Sequence, residues 1–159
     1  MPSNMWKALQ NGSDIRGVAL PGVECEPVNL TEHVATAIGE AFALWLASRK
    51  GVQPSGLRIS VGHGSRLSAD SLEKALTAGI ARQGAEVCLF GLASTPGMFM
   101  STVTHGWCFD GAVMITASHL PANRNGFKFF TSGGGLEKAD ITAILDLAEK
   151  APHPASAAP

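Results

Sequence analysis

The segment from residue 57 to residue 90 limits the fold most strongly, because it alternates between strand and helix patterns. Residues 57–61 alternate apolar and polar side chains, and residues 62–66 form a glycine-rich turn. Apolar residues then recur at three- and four-residue spacing over 72–80, and residues 86–90 read as a second, apolar strand. Strand, helix and strand in this order predict a parallel crossover, which is right-handed almost without exception.

The remaining segments continue this α/β pattern. They include a strand over 18–20, a helix with Thr31 as N-cap that ends near Ser48, a short helix entered through Thr95-Pro96 with Thr95 as N-cap, a buried strand over 111–115, a further strand before residues 133–135, and a helix over 137–150. This order predicts a three-layer α/β/α domain with a mixed, mostly parallel sheet. We place the domain at residues 8–150 and interpret the Ala/Pro-rich residues 151–159 as a linker or tail.

Composition narrows the class of protein. The 159 residues are 45% hydrophobic and 16% charged, which suits one ordinary globular core. Twelve Lys+Arg against thirteen Asp+Glu leave a net charge of −1, so no long-range field favours binding to nucleic acid or to an anionic membrane. Any anion site must therefore be local.

The expected compartment follows from the cysteines and the apolar runs. Cys25, Cys88 and Cys108 are odd in number and lack the paired spacing of zinc sites, so we expect reduced thiols in the core. No apolar run approaches the ~18 residues of a membrane span, and the first residues do not resemble a signal peptide. We expect a cytoplasmic protein, or a plastid one if a transit peptide is missing.

The strand over 111–115 ends in four small or polar residues, Thr116 to His119, before Pro121. A rigid strand followed by such a loop would expose the Ser118 hydroxyl beside the His119 imidazole, and Lys128 follows nine residues later. Spacing alone favours an ordinary loop, in which the serine bonds its own backbone. A nucleophile, a proton carrier and a cation within eleven residues nevertheless make this stretch the candidate site.

A second candidate lies near the N-terminus, where Arg16 stands between Gly12 and Gly17. Glycine amides can approach an anion closely, and a guanidinium is a planar fork that fits phosphate. The other interpretation, a plain turn into an edge strand, is favoured by spacing alone, because one arginine in a glycine turn is a weak motif.

These motifs resemble a known family. Thr116-Ala-Ser-His-Leu-Pro121, followed by Asn125-Gly-Phe-Lys128, closely resembles the active-site serine loop of the α-D-phosphohexomutases, the phosphoglucomutase and phosphomannomutase family. Asp14-Ile-Arg-Gly17 matches a segment that lines the same cleft in that family, and the Thr95-Pro96 entry is similar as well. In the turn over 62–66, Arg66 matches the family pattern, whereas His63 and Gly64 replace its Arg-Asp pair.

The resemblance covers roughly residues 8–150 and implies domain I of a four-domain enzyme. It implies that Ser118 carries a phosphoryl group that is exchanged with a hexose phosphate through a hexose bisphosphate, with Mg²⁺ bound through the phosphorylated Ser118. Arg16 and Lys128 would act as cations, and Lys128 or His119 would carry the hydroxyl proton. Arg16, Arg66 and Thr116 would contact the substrate. The other metal ligands and the sugar-binding loops are expected in the missing mutase domains.

Two other classes remain open from the sequence. A serine hydrolase would use Ser118 with His119, but the sequence lacks the Gly-x-Ser-x-Gly elbow, and adjacent side chains rarely point at one another. A truncated, non-catalytic phosphate-binding or interaction domain is favoured by the missing domains and by the His63-Gly64 substitution. We also expect self-association through the face that would meet a second domain.

Overall fold

The computed structural model describes residues 2–150, which build a seven-stranded sheet with helices on both faces. The helices are α1 (Asn4–Lys7), α2 (Glu32–Lys50), α3 (Ala69–Arg82), α4 (Thr95–Met100) and α5 (Lys138–Lys150), with a 3₁₀ turn at Pro54–Gly56. The strands are β1 (Gln10–Asn11), β2 (Asp14–Val18), β3 (Arg58–His63), β4 (Glu86–Leu92), β5 (Gly111–Ile115), β6 (Arg124–Thr131) and β7 (Gly134–Gly135). The predicted tail at 151–159 lies outside the described residues.

The sheet is mixed, with the order β1-β2-β6-β5-β3-β4 and with β7 paired to β6. Strand β3 is parallel to β4 and β5, as the predicted crossover requires. The other four pairings, β1–β2, β2–β6, β5–β6 and β6–β7, are antiparallel. The predicted three-layer α/β/α fold with a mixed sheet is confirmed. The sheet is not mostly parallel, because β6 turns back beside β5 and then pairs with β2.

One face of the sheet carries the main core. Side chains from α2, α3 and α5 pack there against alternate strand residues, including Val113, Ile115, Phe127 and Phe129. Trp6 joins this core, so the packed unit begins before residue 8. All five residues of β5 are buried, which explains its continuous apolar sequence.

The opposite face has a much smaller cover. Ala112 and Met114 of β5 point to this side, where they cluster with Met98 of α4 and with Phe130. The third layer is therefore one short helix. Helix α4 leaves much of this face uncovered, including the ends of β2 and β6, where the candidate site lies.

Capping residues explain where the helices start and stop. The Thr31 side chain accepts a hydrogen bond from the Val34 amide at 3.1 Å, as predicted for an N-cap. Helix α2 continues past the predicted end near Ser48 and stops at Gly51, whose φ of 68° is the left-handed conformation that glycine adopts freely. Helix α4 is capped by Ser94, not by the predicted Thr95, because the Ser94 hydroxyl accepts from the Gly97 amide.

Two further expectations are wrong. The segment around Arg16 is not a glycine turn, because Asp14–Val18 is strand β2, paired on both sides. The cysteines are free thiols, but Cys25 and Cys108 are exposed and Cys88 is only partly buried, so they are not core thiols. Cys25 and Cys108 fall in loops, with positive φ angles of 63° and 40°. Within residues 2–150, no helix is long and apolar enough to cross a membrane.

Helices α2 and α3 cross at two glycines. A Cβ atom on Gly79 would overlap the backbone carbonyl oxygen of Thr36, and a Cβ on Gly39 would overlap that of Leu76. Only glycine permits this close approach of two backbones.

Candidate functional site

The loop between β5 and β6 presents Ser118 at the surface. The Thr116 amide donates to the Gly126 carbonyl at 2.9 Å, which continues the ladder for one residue beyond β5. The Thr116 hydroxyl then accepts from the Ser118 amide at 3.1 Å, so the chain turns sharply. Ser118 is exposed and has a φ of 53°, a left-handed conformation that is uncommon for a residue other than glycine. This loop, residues 116–124, is called the serine loop below.

The Arg16 guanidinium lies against the serine. Its Nη2 is 3.3 Å from the Ser118 Oγ and 3.0 Å from Asp14 Oδ2. The other oxygen of Asp14 accepts from Lys128 Nζ at 2.9 Å. One buried carboxylate, 7% exposed, therefore holds two cations beside the candidate nucleophile.

The sheet register explains why these side chains meet. Arg16 is paired with Gly126 across the β2–β6 ladder, and continuing that register by two residues places Asp14 opposite Lys128. Side chains two residues apart share one face of a strand, so Asp14, Arg16 and Lys128 all lie on the face that carries α4. Gly126 leaves room for the arginine, because a Cβ there would lie 2.8 Å from Arg16 Cγ and would overlap the Ile15 carbonyl oxygen.

A third cation, Arg66, binds the serine loop from the turn between β3 and α3. Its Nη1 donates to the carbonyls of Pro121 (2.6 Å) and Arg124 (3.1 Å). Its Nη2 donates to the carbonyls of Ser118 (3.0 Å) and Leu120 (2.6 Å). The terminal donors of this predicted substrate-binding residue thus contact the loop backbone.

The site carries an excess of positive charge. Arg16, Lys128 and Arg66 supply three positive charges, and Asp14 supplies one negative charge, which leaves +2 around Ser118. The ion pairs within residues 2–150 include none to Arg66. In addition, the buried Nε of Arg16 has no hydrogen-bond partner in this part of the chain. An unpaired buried donor costs about 1–3 kcal/mol, which an oxygen-rich anion could recover.

The other predicted site residues are placed differently. His119 is exposed and makes no hydrogen bond or ion pair with residues 2–150, so the Ser118–His119 pair of a serine hydrolase is not formed. The Thr116 hydroxyl accepts a hydrogen bond from the Ser118 amide and so stabilises the serine loop. The sequence motif that contains Asp14 does not indicate that this carboxylate is the shared partner of two cations. The i, i+2 spacing of Asp14 and Arg16 would have signalled it, had the segment been recognised as a strand.

His63, in the substituted turn, lies beside two carboxylates of α3, away from the serine. His63 Nδ1 is 2.7 Å from the Gly64 carbonyl oxygen, and His63 Nε2 lies 4.0 Å from carboxylate oxygens of Asp70 and Glu73. Burial raises the pKa of Glu73, against a smaller opposing effect of His63. The Glu73 Oε2 is buried and has no hydrogen-bond partner within residues 2–150.

The described residues do not fit a magnesium ion by themselves. Residues 2–150 contain no cluster of three or more His, Cys, Asp or Glu side chains that could hold a metal. At the serine itself, both oxygens of Asp14 are bound to cations. Mg²⁺ prefers several oxygen ligands in octahedral geometry, and phosphorylated Ser118 would supply one group of oxygens.

The fold and the site define an α/β/α domain that presents a serine hydroxyl among cations at the end of a central strand. The family model described as "Phosphoglucomutase/phosphomannomutase, alpha/beta/alpha domain I" matches residues 7–154. The chain belongs to this family, as its serine loop predicted.

Similar proteins include the phosphoglucosamine mutase of Acetivibrio thermocellus, 39% identical over 145 residues, which are 87% of this chain and 30% of that protein. The phosphoglucosamine mutase of Caldicellulosiruptor saccharolyticus is 40% identical over 124 residues, or 77% of this chain and 25% of that protein. A solved phosphoglucomutase/phosphomannomutase family protein of Burkholderia thailandensis has a TM-score of 0.74 at 25% identity, over 96% of this chain and 31% of that one. This chain spans about a third or less of these relatives.

Proposed function

We propose that this chain is the phosphoserine-bearing domain of a phosphohexomutase, in which Ser118 exchanges a phosphoryl group with a hexose or hexosamine phosphate. The observation that carries the proposal is the charge around the serine. A phosphoserine carries about −1.5 to −2 charge at neutral pH, which matches the surplus of +2 from Arg16, Arg66, Lys128 and Asp14.

The transfer itself depends on position and electrostatics. The Ser118 Oγ forms a bond to phosphorus while the bond between phosphorus and the sugar oxygen breaks, and the serine proton ends on that departing oxygen. Charge spreads over the transferred oxygens during such a step, so fixed cations stabilise the transition state. Arg16 already touches the Oγ, and its unpaired Nε is a further donor. His119 and Lys128 are the proposed proton carriers.

The experiment is to incubate the chain with a hexose 1,6-bisphosphate and Mg²⁺ and to map phosphate by mass spectrometry. We expect one phosphoryl group on Ser118 and none in Ser118→Ala. Ser65→Ala is a matched control, because Ser65 is also an exposed serine in a neighbouring loop. Label that is spread over several serines, or unchanged in Ser118→Ala, would refute the assignment.

The complete mutase reaction needs more than this chain. Aligning a bound reactant contributes roughly 7–11 kcal/mol to lowering a barrier, and the relatives are more than three times longer than the matched region. We therefore expect the chain alone to interconvert hexose 1- and 6-phosphates far more slowly than about 1 per second. The sugar-binding groups, further Mg²⁺ ligands and the partner domains of a longer chain all belong to this proposal, as does the cytoplasmic location.

A second candidate is a phosphate-binding domain that performs no transfer. The departure at His63 and Gly64 favours it, because the turn that contributes Arg66 differs there from the family pattern. Calorimetry with a hexose phosphate separates the two candidates. Binding without any label on Ser118 would support the binding domain.

A further inference from the structure

Arg66 binds the serine loop at both of its ends. The bonds to Ser118 and Leu120 hold the descending half of the loop, and the bonds to Pro121 and Arg124 hold its return into β6. All four acceptors are main-chain carbonyl oxygens, 52 to 58 residues away in sequence. A planar guanidinium is the one side chain that can point four terminal N–H groups at such a set.

These bonds restrain a strained backbone. Ser118 has a left-handed φ of 53°, a conformation in which the Cβ of an L-residue crowds its own backbone. Such a conformation persists only where the surroundings fix it. Within residues 2–150, three hydrogen bonds restrain Ser118: Arg66 donates to its carbonyl, its amide donates to the Thr116 hydroxyl, and Arg16 donates to its hydroxyl.

We propose that Arg66 is a positioning residue, which fixes the left-handed backbone at Ser118 and so directs the Oγ toward the Arg16 guanidinium. Arg66 then acts through the serine loop and not by binding the substrate phosphate. The proposal deepens the proposed function and rests on it for the effect on phosphorylation. Its effect on the loop itself is independent of that function.

Arg66→Lys keeps the positive charge and removes the planar guanidinium with its four terminal N–H groups. We expect amide hydrogen exchange in the serine loop to accelerate about tenfold or more, because an ammonium cannot reach all four carbonyls. We also expect the rate of Ser118 labelling at saturating hexose bisphosphate to fall, while the concentration that gives half-maximal labelling stays unchanged. Arg82→Lys is the control: it makes the same substitution in an arginine that donates to Glu40 away from the serine loop, and both readouts should stay near those of the original chain.

The outcomes separate the alternatives. If loop exchange in Arg66→Lys equals that of the original chain, the proposal is overturned. A raised half-maximal concentration with unchanged loop exchange would also overturn it, in favour of direct substrate binding. If the original chain takes no label, the proposed function fails, and the exchange measurement alone decides the role of Arg66.

A stability measurement covers the case in which Arg66→Lys folds poorly. Ser118→Gly removes the strain at the serine, because glycine adopts this φ at no steric cost. If Arg66 holds that conformation, Arg66→Lys should lower the urea midpoint less in the Ser118→Gly background than in the original chain. Equal losses in both backgrounds would show that Arg66 does not restrain Ser118.

Discussion

Replacing Asp14 with asparagine should lower the free energy of unfolding of the domain and raise its affinity for inorganic phosphate. The carboxylate is 7% exposed and accepts from Arg16 at 3.0 Å and from Lys128 at 2.9 Å. The asparagine side chain would have the same shape, but one of its two polar ends would be an amide donor that faces a cation. The two effects have opposite signs, so general damage to the fold cannot produce both.

The magnitude follows from the two ion pairs. A hydrogen bond to a charged group contributes about 1.5–3 kcal/mol, and removing one partner of a buried pair costs about 3–5 kcal/mol. The Lys128 side chain is 30% exposed and can turn toward water, whereas that of Arg16 is 14% exposed. We therefore expect Asp14→Asn to lower the free energy of unfolding by about 2–4 kcal/mol.

Urea denaturation measures the stability change, and calorimetric titration with inorganic phosphate measures the affinity. Asp70→Asn is the matched control, because this carboxylate side chain is 94% exposed and should contribute less than about 1 kcal/mol. A loss below about 1 kcal/mol in Asp14→Asn would refute the shared-carboxylate reasoning. Weaker phosphate binding by the folded variant would refute the charge argument.

Three further predictions concern packing, pH and association. Gly79→Ala should lower the free energy of unfolding by about 1–3 kcal/mol in a urea titration despite the better helix propensity of alanine, because its Cβ overlaps the Thr36 carbonyl; Gly56→Ala, with open space around it, should be near neutral. Glu73→Gln should stabilise the domain at neutral pH, because burial raises the pKa of Glu73 and its ionisation therefore opposes folding. The gain in stability, measured by urea titration, should vanish below pH 4.5, where the carboxyl is protonated in both the folded and the unfolded state. Leu89→Lys should shift sedimentation toward monomer, because Leu89 is 58% exposed on the edge strand β4; an unchanged distribution would contradict association through this edge.

The serine loop could be predicted from sequence because its information is local. An apolar strand, small residues and a proline follow one another within about a dozen positions, and their order fixes a strand that ends in an exposed loop. The capped helix α2 and the parallel crossover were predictable for the same reason. Each depends on a periodicity or a cap that a short window contains.

The partners of the site residues were not predictable in this way. Lys128 and Asp14 are 114 residues apart and meet only because β2 pairs antiparallel with β6. That pairing places an N-terminal strand between β1 and β6, which no local pattern around Arg16 indicates. Arg66 was predicted as a cation that contacts substrate, but its acceptors are backbone carbonyls. Because every residue has a backbone carbonyl, the sequence does not indicate which ones accept from Arg66.

The balance of charge around Ser118 has a consequence for stability that links folding to phosphorylation. Without a phosphoryl group, the cations Arg16, Lys128 and Arg66 outnumber the carboxylate of Asp14 by two charges. A phosphate on Ser118 would bring the sum close to zero and would place acceptor oxygens beside the Arg16 Nη2, which lies 3.3 Å from the Ser118 Oγ. Because a charge-assisted hydrogen bond contributes about 1.5–3 kcal/mol, we expect the phosphorylated domain to unfold at a higher urea concentration than the unmodified one. The difference should shrink in Arg16→Met, which keeps a similar apolar stem but removes the guanidinium, and an equal or lower midpoint for the phosphorylated domain would contradict the electrostatic account of the site.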